Sequence, residues 1–332
     1  MMNYNLYFPE GTEFISYNED SWHEERAKGI GGSDAAAVMG ISKYKSKLKL
    51  YKEKSEGYRE DLSENVYIKK GKDLEDLIRI RYCEPFFEKL GYTIIKPDVI
   101  LVPESCKYMR ANLDAFAIPK IYTGDYSQNI VVEIKWVSEY GEALWDGEEY
   151  NGVPVGYYAQ VQHYMQSTGA RKAIVCALFD RTWEMKFYEV KYDLEFVAKM
   201  IKEINTFMEI NVGLHIPPKI NSELDKAFIV DAINVLKEEP VLLVNDADMD
   251  ILMGNYKLLK AEIKSMETEA TEILSEITEK YLLGHRPESP LHKINISVVK
   301  NTTLDTKALK EDHPEIYQQY VKHSEYSRTT LK

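Results

Sequence analysis

The sequence predicts a mixed α/β fold with one central sheet flanked by helices. Two observations lead to this prediction. Helical periodicity dominates the amino-terminal part, and the middle of the chain then alternates β-rich runs with helices. A third region, residues 220–332, follows the proline-containing turn at residues 215–219 and returns to helical periodicity. We therefore expect a core domain of residues 1–219 and a C-terminal helical appendage.

A glycine-rich turn opens the first short helix. Residues 29–32 lead into Ser33, which we expect to cap a small-residue helix over residues 35–39, with Asp34 in its first turn. Backbone N–H groups and the helix dipole at such a turn favour an anion, and Arg26 just upstream can add a bidentate clamp. The turn is a candidate phosphate site, although an ordinary capped helix and a solvated arginine are open alternatives.

The remaining elements of the core follow from their periodicity. Alternate lysines from Lys43 to Lys49 lead into a helical pattern that continues to residue 54, and a long amphipathic helix over residues 68–90 ends at Gly91. β-rich runs and further helical patterns complete the core, in the order strands 99–102, 109–118 and 130–137, helix 155–168, strands 173–179 and 184–190, and helix 194–211.

In the appendage, apolar residues recur at alternating steps of four and three from Leu252 to Ile277. This heptad-like seam predicts a helix that buries one face. Residues 294–299 are predicted to form a short strand, with a small helix after them.

The composition excludes several classes of protein. No apolar run approaches the ~18 residues of a membrane span, and the amino terminus lacks the pattern of a secretion signal. The three cysteines include no C-x-x-C pair, so we expect a reducing, cytoplasmic location without a membrane partner. A net charge of −12 argues against binding nucleic acid by overall charge, but a nuclease needs only a local basic groove.

The informative chemistry lies in the predicted strand 130–137. Glu133 and Lys135 are two residues apart, so they share one face of the strand, while Ile134 points to the opposite, core side. Asn112-Leu-Asp114 places a second carboxylate on the neighbouring strand, where a hairpin can bring Asp114 beside Glu133. Burying such charges is costly unless they have a function.

Glu75, on the long helix, is a third candidate carboxylate. Carboxylates of this kind are hard oxygen ligands that suit Mg²⁺ or Mn²⁺. With Lys135 beside them, the chemistry that fits is phosphodiester hydrolysis with one metal ion or two. An isolated E-x-K triplet is more often an exposed, salt-bridged strand face, so the prediction depends on the motifs around it.

Those motifs resemble one family. In the order found there, the chain carries Arg26-Ala-Lys-Gly-Ile-Gly-Gly-Ser-Asp-Ala-Ala-Ala37, Gly71 with Leu74-Glu75, Asn112-Leu-Asp114, Glu133-Ile-Lys135 and Tyr157-Tyr-Ala-Gln-Val-Gln-His-Tyr-Met165. Over about residues 20–210 the sequence is similar to the YqaJ-like viral recombinase and phage lambda exonuclease family. The resemblance implies a PD-(D/E)XK restriction-endonuclease-like core.

The resemblance also implies roles for single residues. Asp114 and Glu133 would be metal ligands, with Glu75 supporting the metal site, and Lys135 the catalytic lysine. Gln160 would help to hold that lysine and the phosphate, and Tyr157 lies one helical turn before it on the same face. Arg26 and Ser33 match positions that hold a 5′-phosphate.

The resemblance implies a magnesium-dependent hydrolase that acts on DNA. It would digest one strand of linear duplex DNA from the 5′ end and leave a 3′ single-stranded overhang for a phage single-strand annealing protein. It would use two Mg²⁺ ions, with Mn²⁺ as the alternative, and form a homo-oligomer, since relatives form rings around DNA. Such an enzyme would be bacterial or phage-encoded and act inside the cell.

Other functions stay open at this point. An endonuclease of the same superfamily would use the same metal site but has no need of a terminal phosphate pocket. A DNA-end-binding adaptor would need no catalytic residues, and a scaffold would depend on the heptads alone. Three aromatic residues after the E-I-K strand, Trp136, Tyr140 and Trp145, either pack beneath the next helix or meet a DNA end. His163 is interpreted as structural.

Overall fold

The computed structural model describes residues 4–57, 64–221, 223–226, 228–230, 247–284, 300 and 302–322. The chain divides into two compact units, residues 1–225 and 226–332, so the first unit ends just after the predicted boundary at Lys219. The predicted strand over residues 294–299 lies outside the described residues. Within the described parts, no helix is both long and apolar enough to cross a membrane.

The elements of the described residues follow the predicted order. The helices are α1 (Glu19–Ala27), α2 (Ala35–Val38), α3 (Lys47–Ser55), α4 (Val66–Ile78), α5 (Glu84–Lys89), α6 (Val155–Thr168), α7 (Leu194–Thr206), α8 (Ala247–Leu282), α9 (Thr306–Asp312) and α10 (Pro314–Tyr320). The strands are β1 (Glu13–Ile15), β2 (Ile30–Gly31), β3 (Tyr92–Ile95), β4 (Ile100–Val102), β5 (Met109–Arg110), β6 (Ala115–Pro119), β7 (Ile130–Val137), β8 (Lys172–Phe179) and β9 (Glu184–Lys191).

A five-stranded mixed sheet forms the centre of the first unit, in the order β3-β6-β7-β8-β9. All its neighbours pair antiparallel except β7 and β8, which are parallel. A parallel pair needs a crossover connection, and α6 supplies it. The predicted mixed α/β fold, with one central mixed sheet flanked by helices, is confirmed.

The two faces of the sheet carry separate apolar clusters. On one face, Val131, Val175 and Phe116 pack with α6 residues such as Val161 and Met165. On the other face, Val132, Ile134 and Cys176 pack with Ile78 and Phe87 of the α4–α5 helix. The alternation of β7 between these clusters is the period of two that the sequence predicts.

Two strand predictions were wrong in part. The predicted strand 99–102 forms β4, but it pairs with β1 in a separate two-stranded sheet. The edge of the central sheet is β3 instead, which the sequence analysis missed. Gly91 adopts φ +83°, a conformation that favours glycine, and the chain then returns so that Tyr92 pairs with Pro119. The run 109–118 divides into β5 and β6, with Asp114 between them.

The two long helix predictions are confirmed with one addition each. The helix over residues 68–90 contains a π-helical turn at Arg79–Cys83, and the helix after Leu194 ends in a π-helical segment at Phe207–Val212. A π turn shifts the helical face by one residue, and so it leaves little trace in a pattern of period 3.6. The predicted N-cap at Ser33 was wrong. Gly32–Asp34 form a 3₁₀ turn, and Asp34 precedes a helix of four residues without a side-chain cap.

Candidate active site

Strands β6 and β7 bring the predicted catalytic residues together. Ala115 pairs with Val132, and so Asp114, which directly precedes β6, lies beside Glu133. The Asp114 Oδ2 atom accepts a hydrogen bond of 2.9 Å from the backbone N–H of Ile134. The Lys135 ammonium group donates to Oε1 of Glu133. The shared strand face predicted for Glu133 and Lys135 is therefore present.

Glu133 is an unusual carboxylate. It is fully buried, and its second oxygen, Oε2, has no hydrogen-bond partner. Burial and then the charge of Asp114 raise its pKa to about 8, although Lys135 acts in the opposite direction. Burial would lower the pKa of Lys135, but Glu133 and Asp114 outweigh it, so the lysine stays protonated. The site holds more negative charge than one ammonium group neutralises.

Glu75 on α4 belongs to the same electrostatic environment. Burial and then Asp114 raise the pKa of Glu75, and Glu75 in turn contributes to the raised pKa of Glu133. The Glu75 carboxylate accepts a hydrogen bond of 3.1 Å from the Lys96 Nζ atom. Across the described residues, no three His, Cys, Asp or Glu side chains already stand in a metal-binding arrangement. Lys96 and Lys135 supply the positive charge beside these carboxylates.

Helix α6 covers this site with aromatic and amide groups. The Tyr157 ring lies under the Lys135 ammonium group, whose nitrogen is 4.9 Å from the ring centroid. Gln160 is buried and donates a hydrogen bond of 3.2 Å to the hydroxyl of Tyr164. Within the described residues, no hydrogen bond joins Gln160 to Lys135. The structure thus brings Tyr157 to the lysine directly and Gln160 only to a neighbouring tyrosine.

Sequence analysis did not single out Tyr164. Its hydroxyl is buried, and burial followed by the charges of Glu133 and Asp114 raises its pKa above the ordinary value. The signal was available in the sequence, because residues four apart share a helix face and Gln160 precedes Tyr164 by four. Tyr164 therefore joins the α6 residues that border the carboxylates.

Arg26 and Ser33, the predicted phosphate-binding residues, meet in the structure. One guanidinium nitrogen of Arg26 lies 3.1 Å from the Ser33 Oγ atom and 2.9 Å from Oδ2 of Asp34. Two lysines complete the group, since Lys45 and Lys54 lie 3.1 Å and 3.3 Å from the Asp34 carboxylate. We call Arg26, Ser33, Asp34, Lys45 and Lys54 the cationic cluster.

Asp34 is surrounded by positive charge. Its burial opposes ionisation, but Arg26, Lys54 and Lys45 together hold its pKa well below the usual range. Lys45 also pairs with Glu53 at 2.8 Å. Lys54, which the sequence analysis did not select, is almost fully buried and also donates to the backbone carbonyl of Arg26 at 2.7 Å. The cluster holds three cations, and the Asp34 carboxylate is the common partner of all three.

The glycines of the turn allow close packing. A Cβ atom on Gly31 would lie 2.2 Å from the Arg26 guanidinium carbon, and one on Gly32 would lie 2.4 Å from the Tyr164 ring. The His163 Nε2 atom lies 3.0 Å from the Ile30 carbonyl oxygen, and burial lowers the pKa of His163 to about 4, so that it donates as a neutral imidazole. This contact agrees with a structural role for His163.

The three aromatic residues after β7 have different environments. Trp145 is buried against Tyr157 and Phe179, which is the packing alternative. Tyr140 is 76% exposed, and Trp136 is only partly buried. Trp145 therefore packs in the interior, whereas Tyr140 and part of Trp136 are open to solvent.

Comparison with known proteins shows what this region is similar to. A family model described as the YqaJ-like viral recombinase domain matches residues 21–171. A protein of Bacillus subtilis (strain 168), named uncharacterized protein YqaJ, is 26% identical over 326 residues, which cover 95% of this chain and 94% of the relative.

Two solved structures are also similar in part. An alkaline exonuclease from Laribacter hongkongensis matches with a TM-score of 0.46 and 16% identity, covering 65% of this chain and 99% of that one. A phage-related exonuclease from Haemophilus somnus 129PT matches with a TM-score of 0.43 and 13% identity, covering 58% of this chain and 98% of that one. The resemblance noted in the sequence motifs is confirmed by the match of residues 21–171 to the model of the YqaJ-like viral recombinase domain.

Proposed function

We propose that this protein is a metal-dependent exonuclease that hydrolyses linear duplex DNA from the 5′ end and leaves 3′ single-stranded overhangs. The observation that carries the proposal is Glu133. Its carboxylate is fully buried beside Asp114 and Lys135, and one of its oxygens lacks a hydrogen-bond partner. A buried carboxylate without full compensation is costly, which supports a functional role for this group.

The carboxylates fit a divalent cation. The Oε2 atom of Glu133 has no hydrogen-bond partner, and burial followed by the charge of Asp114 raises the pKa of both Glu75 and Glu133, so the negative charge here is not fully compensated. We propose these three residues as the holders of Mg²⁺ or Mn²⁺, with two ions in the full site. When bound, the metal would polarise the phosphate and lower the pKa of the attacking water.

The remaining residues act on the phosphate and the water. Lys135 is protonated, because Glu133 and Asp114 raise its pKa despite burial, so it orients the phosphate and offsets its charge instead of removing a proton. Tyr157 stabilises the ammonium group through its ring, whose centroid lies 4.9 Å from the nitrogen. Gln160 donates a hydrogen bond to Tyr164, whose pKa is raised by burial and then by the charges of Glu133 and Asp114.

The cationic cluster supports an exonuclease over an endonuclease. An anion that replaced part of the Asp34 interactions would meet Arg26, Lys45 and Lys54, together with the Ser33 hydroxyl. A 5′-terminal phosphate is such an anion, whereas an endonuclease has no need to bind a chain end. We therefore propose the cationic cluster as the site of the 5′-phosphate.

Two kinds of protein partner complete the proposal. A homo-oligomer and a single-strand annealing protein are the partners that the family resemblance implies. The apolar seam on α8 supports such a contact, because Leu252, Leu259 and Ile273 are exposed among the described residues.

The test uses linear duplex DNA labelled at one 5′ end, incubated with and without Mg²⁺. We expect release of labelled mononucleotides only with the metal, and survival of a label placed on the 3′ end of the same strand until digestion reaches it. Internal cuts in circular DNA would favour the endonuclease. Binding of DNA ends without any metal-dependent cleavage would favour the adaptor.

A further inference from the structure

Three aromatic side chains lie together at the end of strand β7. The rings of Tyr67 and Trp136 are stacked, with centroids 6.2 Å apart and planes at 26°. The rings of Tyr67 and Tyr140 meet edge to face, with centroids 6.5 Å apart and planes at 87°. We call Tyr67, Trp136 and Tyr140 the aromatic platform.

The platform is exposed to solvent, although its rings are large and contact one another. Tyr67 is 52% exposed and Tyr140 is 76% exposed. Trp136 is held from below, because its Nε1–H group donates a hydrogen bond of 3.2 Å to Asp180 Oδ1. Aromatic rings of this size are normally buried, so a cluster of exposed rings marks a binding surface.

Positive charge lies next to the rings. The Lys70 ammonium nitrogen is 5.1 Å from the centroid of Trp136 and 4.0 Å from Asp180 Oδ2. Tyr67 and Lys70 are three residues apart on α4, so they share one face of that helix. Exposed rings with a cation beside them are the combination with which proteins bind single-stranded nucleic acid, where bases stack and the cation meets the backbone.

The position of the platform relates it to the candidate active site. Trp136 follows Lys135 directly in β7, about 3.3 Å further along the strand. Neighbouring residues of a strand point to opposite faces, so Lys135 faces the carboxylates while Trp136 faces the α4 side. The end of β7 therefore has the catalytic lysine on one face and the platform on the other.

We propose that the aromatic platform stacks unpaired bases of the DNA strand that is not cut. This inference rests on the proposed exonuclease function, in which the 5′-ended strand enters the site formed by Glu75, Asp114 and Glu133. We call these three residues the carboxylate site. In that function the complementary strand separates from the cut strand near Lys135, and the platform is an exposed aromatic surface beside it, because Trp136 directly follows Lys135 in β7. Stacking is tolerant of sequence, as an exonuclease requires.

The experiment compares two duplexes in EDTA, where no metal-dependent cleavage occurs. One duplex is blunt and the other carries a 3′ single-stranded tail, and binding to each is measured by fluorescence anisotropy. We expect the full-length protein to bind the tailed duplex more tightly. Tyr67→Ala and Tyr140→Ala should each lower the affinity for the tailed duplex by about 10-fold and leave the blunt duplex unaffected.

Matched variants separate stacking from other effects. Tyr67→Phe and Tyr140→Phe keep the rings and should bind as the unmodified protein does. Tyr320→Ala removes an equally exposed tyrosine in the appendage and should change nothing. A tail of abasic nucleotides should bind the unmodified protein as weakly as the natural tail binds the Ala variants.

Each contrary outcome has a distinct meaning. If the ratio of tailed to blunt affinity is the same in the Ala variants as in the unmodified protein, the platform proposal is wrong, but the nuclease proposal stands. The platform is also overturned if the Ala substitutions lower the affinity for natural and abasic tails equally, because the tyrosines would then contact the DNA backbone and not the bases. Equal affinity of the unmodified protein for the tailed and blunt duplexes, or binding to neither, would also overturn the platform, whereas the proposed function fails only if linear duplex DNA is not cleaved with Mg²⁺.

Discussion

The carboxylate site and the cationic cluster are opposite in charge balance. At the carboxylate site, Glu133 is buried with one unpaired oxygen, and its pKa is raised to about 8. In the cationic cluster, Asp34 is also buried, but three cations hold its pKa well below the usual range. The pKa values of two buried carboxylates in one domain are thus shifted in opposite directions.

The difference indicates what each place would bind. The pKa of Glu133 stays raised although Lys135 donates to one of its oxygens, so its charge is not fully compensated, and a divalent cation would add the missing positive charge. A carboxylate shared by Arg26, Lys45 and Lys54 has more positive partners than it needs, and an anion could share them. The first place therefore suits a metal ion and the second a phosphate. Each prediction below tests one side of this contrast.

The largest effect should come from the carboxylate site. Glu133→Ala and Lys135→Ala should each lower the rate of DNA hydrolysis by roughly 10³-fold or more, because each removes a group that interacts with the transition state. The rate is measured on linear duplex DNA with saturating Mg²⁺. The folded structure should persist, as judged by circular dichroism.

The control for this test is Glu142→Ala, which removes an acidic side chain whose partner is the exposed Arg181. It should hydrolyse DNA as the unmodified protein does. Wild-type rates in either Glu133→Ala or Lys135→Ala would show that the site is assigned wrongly, and the contrast between the two clusters would lose its functional meaning.

The two places differ in how far the sequence could predict them. Glu133 and Lys135 share a strand face because the period of a strand is two, and a hairpin brings Asp114 beside them, so the sequence analysis located the core of this site. The cationic cluster needed three segments that are distant in sequence. Lys54 reaches Asp34 across 20 residues, and nothing local in its helix distinguishes it from the other lysines.

The fold shows the same division between local and distant information. Helix α6 and strand β7 have the predicted bounds because hydrophobic periodicity and a terminal glycine define them. The place of β4 outside the central sheet was not predictable in this way, since strand pairing depends on partners far along the chain. The edge strand β3 is short and half-buried, and so it lacks a clear apolar run.

Metal binding should depend on pH at the carboxylate site. Because burial and Asp114 raise the pKa of Glu133 to about 8, this carboxyl takes up a proton at a higher pH than an ordinary carboxyl does in the metal-free protein. A proton competes with the metal, so the affinity for Mn²⁺ should rise by up to ~10-fold per pH unit below about pH 8 and level off above it. Isothermal titration calorimetry at several pH values measures this slope.

The same shift predicts the stability of the metal-free protein. A carboxyl with a raised pKa in the folded state stabilises the fold when protonated. That contribution is complete below the ordinary carboxyl pKa and is lost as the pH rises through about 8. The melting temperature of the metal-free protein should therefore fall as the pH rises toward 8. Glu133→Gln should remove both this fall and the pH dependence of the metal affinity. An unchanged slope in this variant would assign the titration to another group.

Arg26→Ala tests the other side of the contrast. It should leave the hydrolysis of each bond intact but lower the preference for 5′-phosphorylated over 5′-hydroxyl ends by about 10-fold, since a charge-assisted hydrogen bond to the phosphate is lost. The ratio of initial rates on the two substrates measures the preference. Lys28→Ala, which removes an exposed cation paired with Glu25 in the same region, is the matched control. An equal ratio in Arg26→Ala and the unmodified protein would make Arg26 a structural residue.

The smallest effect should come from the end of the first unit. Asp225 is buried and accepts hydrogen bonds from the Ser46 hydroxyl and, at 2.7 Å, from the backbone N–H of Asn221. Ser46 caps α3, whose last turn carries Lys54, so Asp225 supports the cationic cluster from outside. Within the described residues, no hydrogen bond joins Asp225 to Glu75, Asp114 or Glu133. Asp225→Ala should therefore lower stability by about 1–3 kcal/mol and leave the affinity for Mn²⁺ unchanged.

Thermal denaturation and metal titration of the full chain measure the two quantities. Asp225→Asn keeps an acceptor for Ser46 and should lose less stability than the alanine variant. Because Asp225 lies beyond Lys219, a chain ending at Lys219 should show the same loss of stability as Asp225→Ala, and the 5′-phosphate preference should fall with it. Equal losses of metal affinity and phosphate preference in Asp225→Ala would mean that the two places are not independent, and the contrast in their charge would then describe a single site.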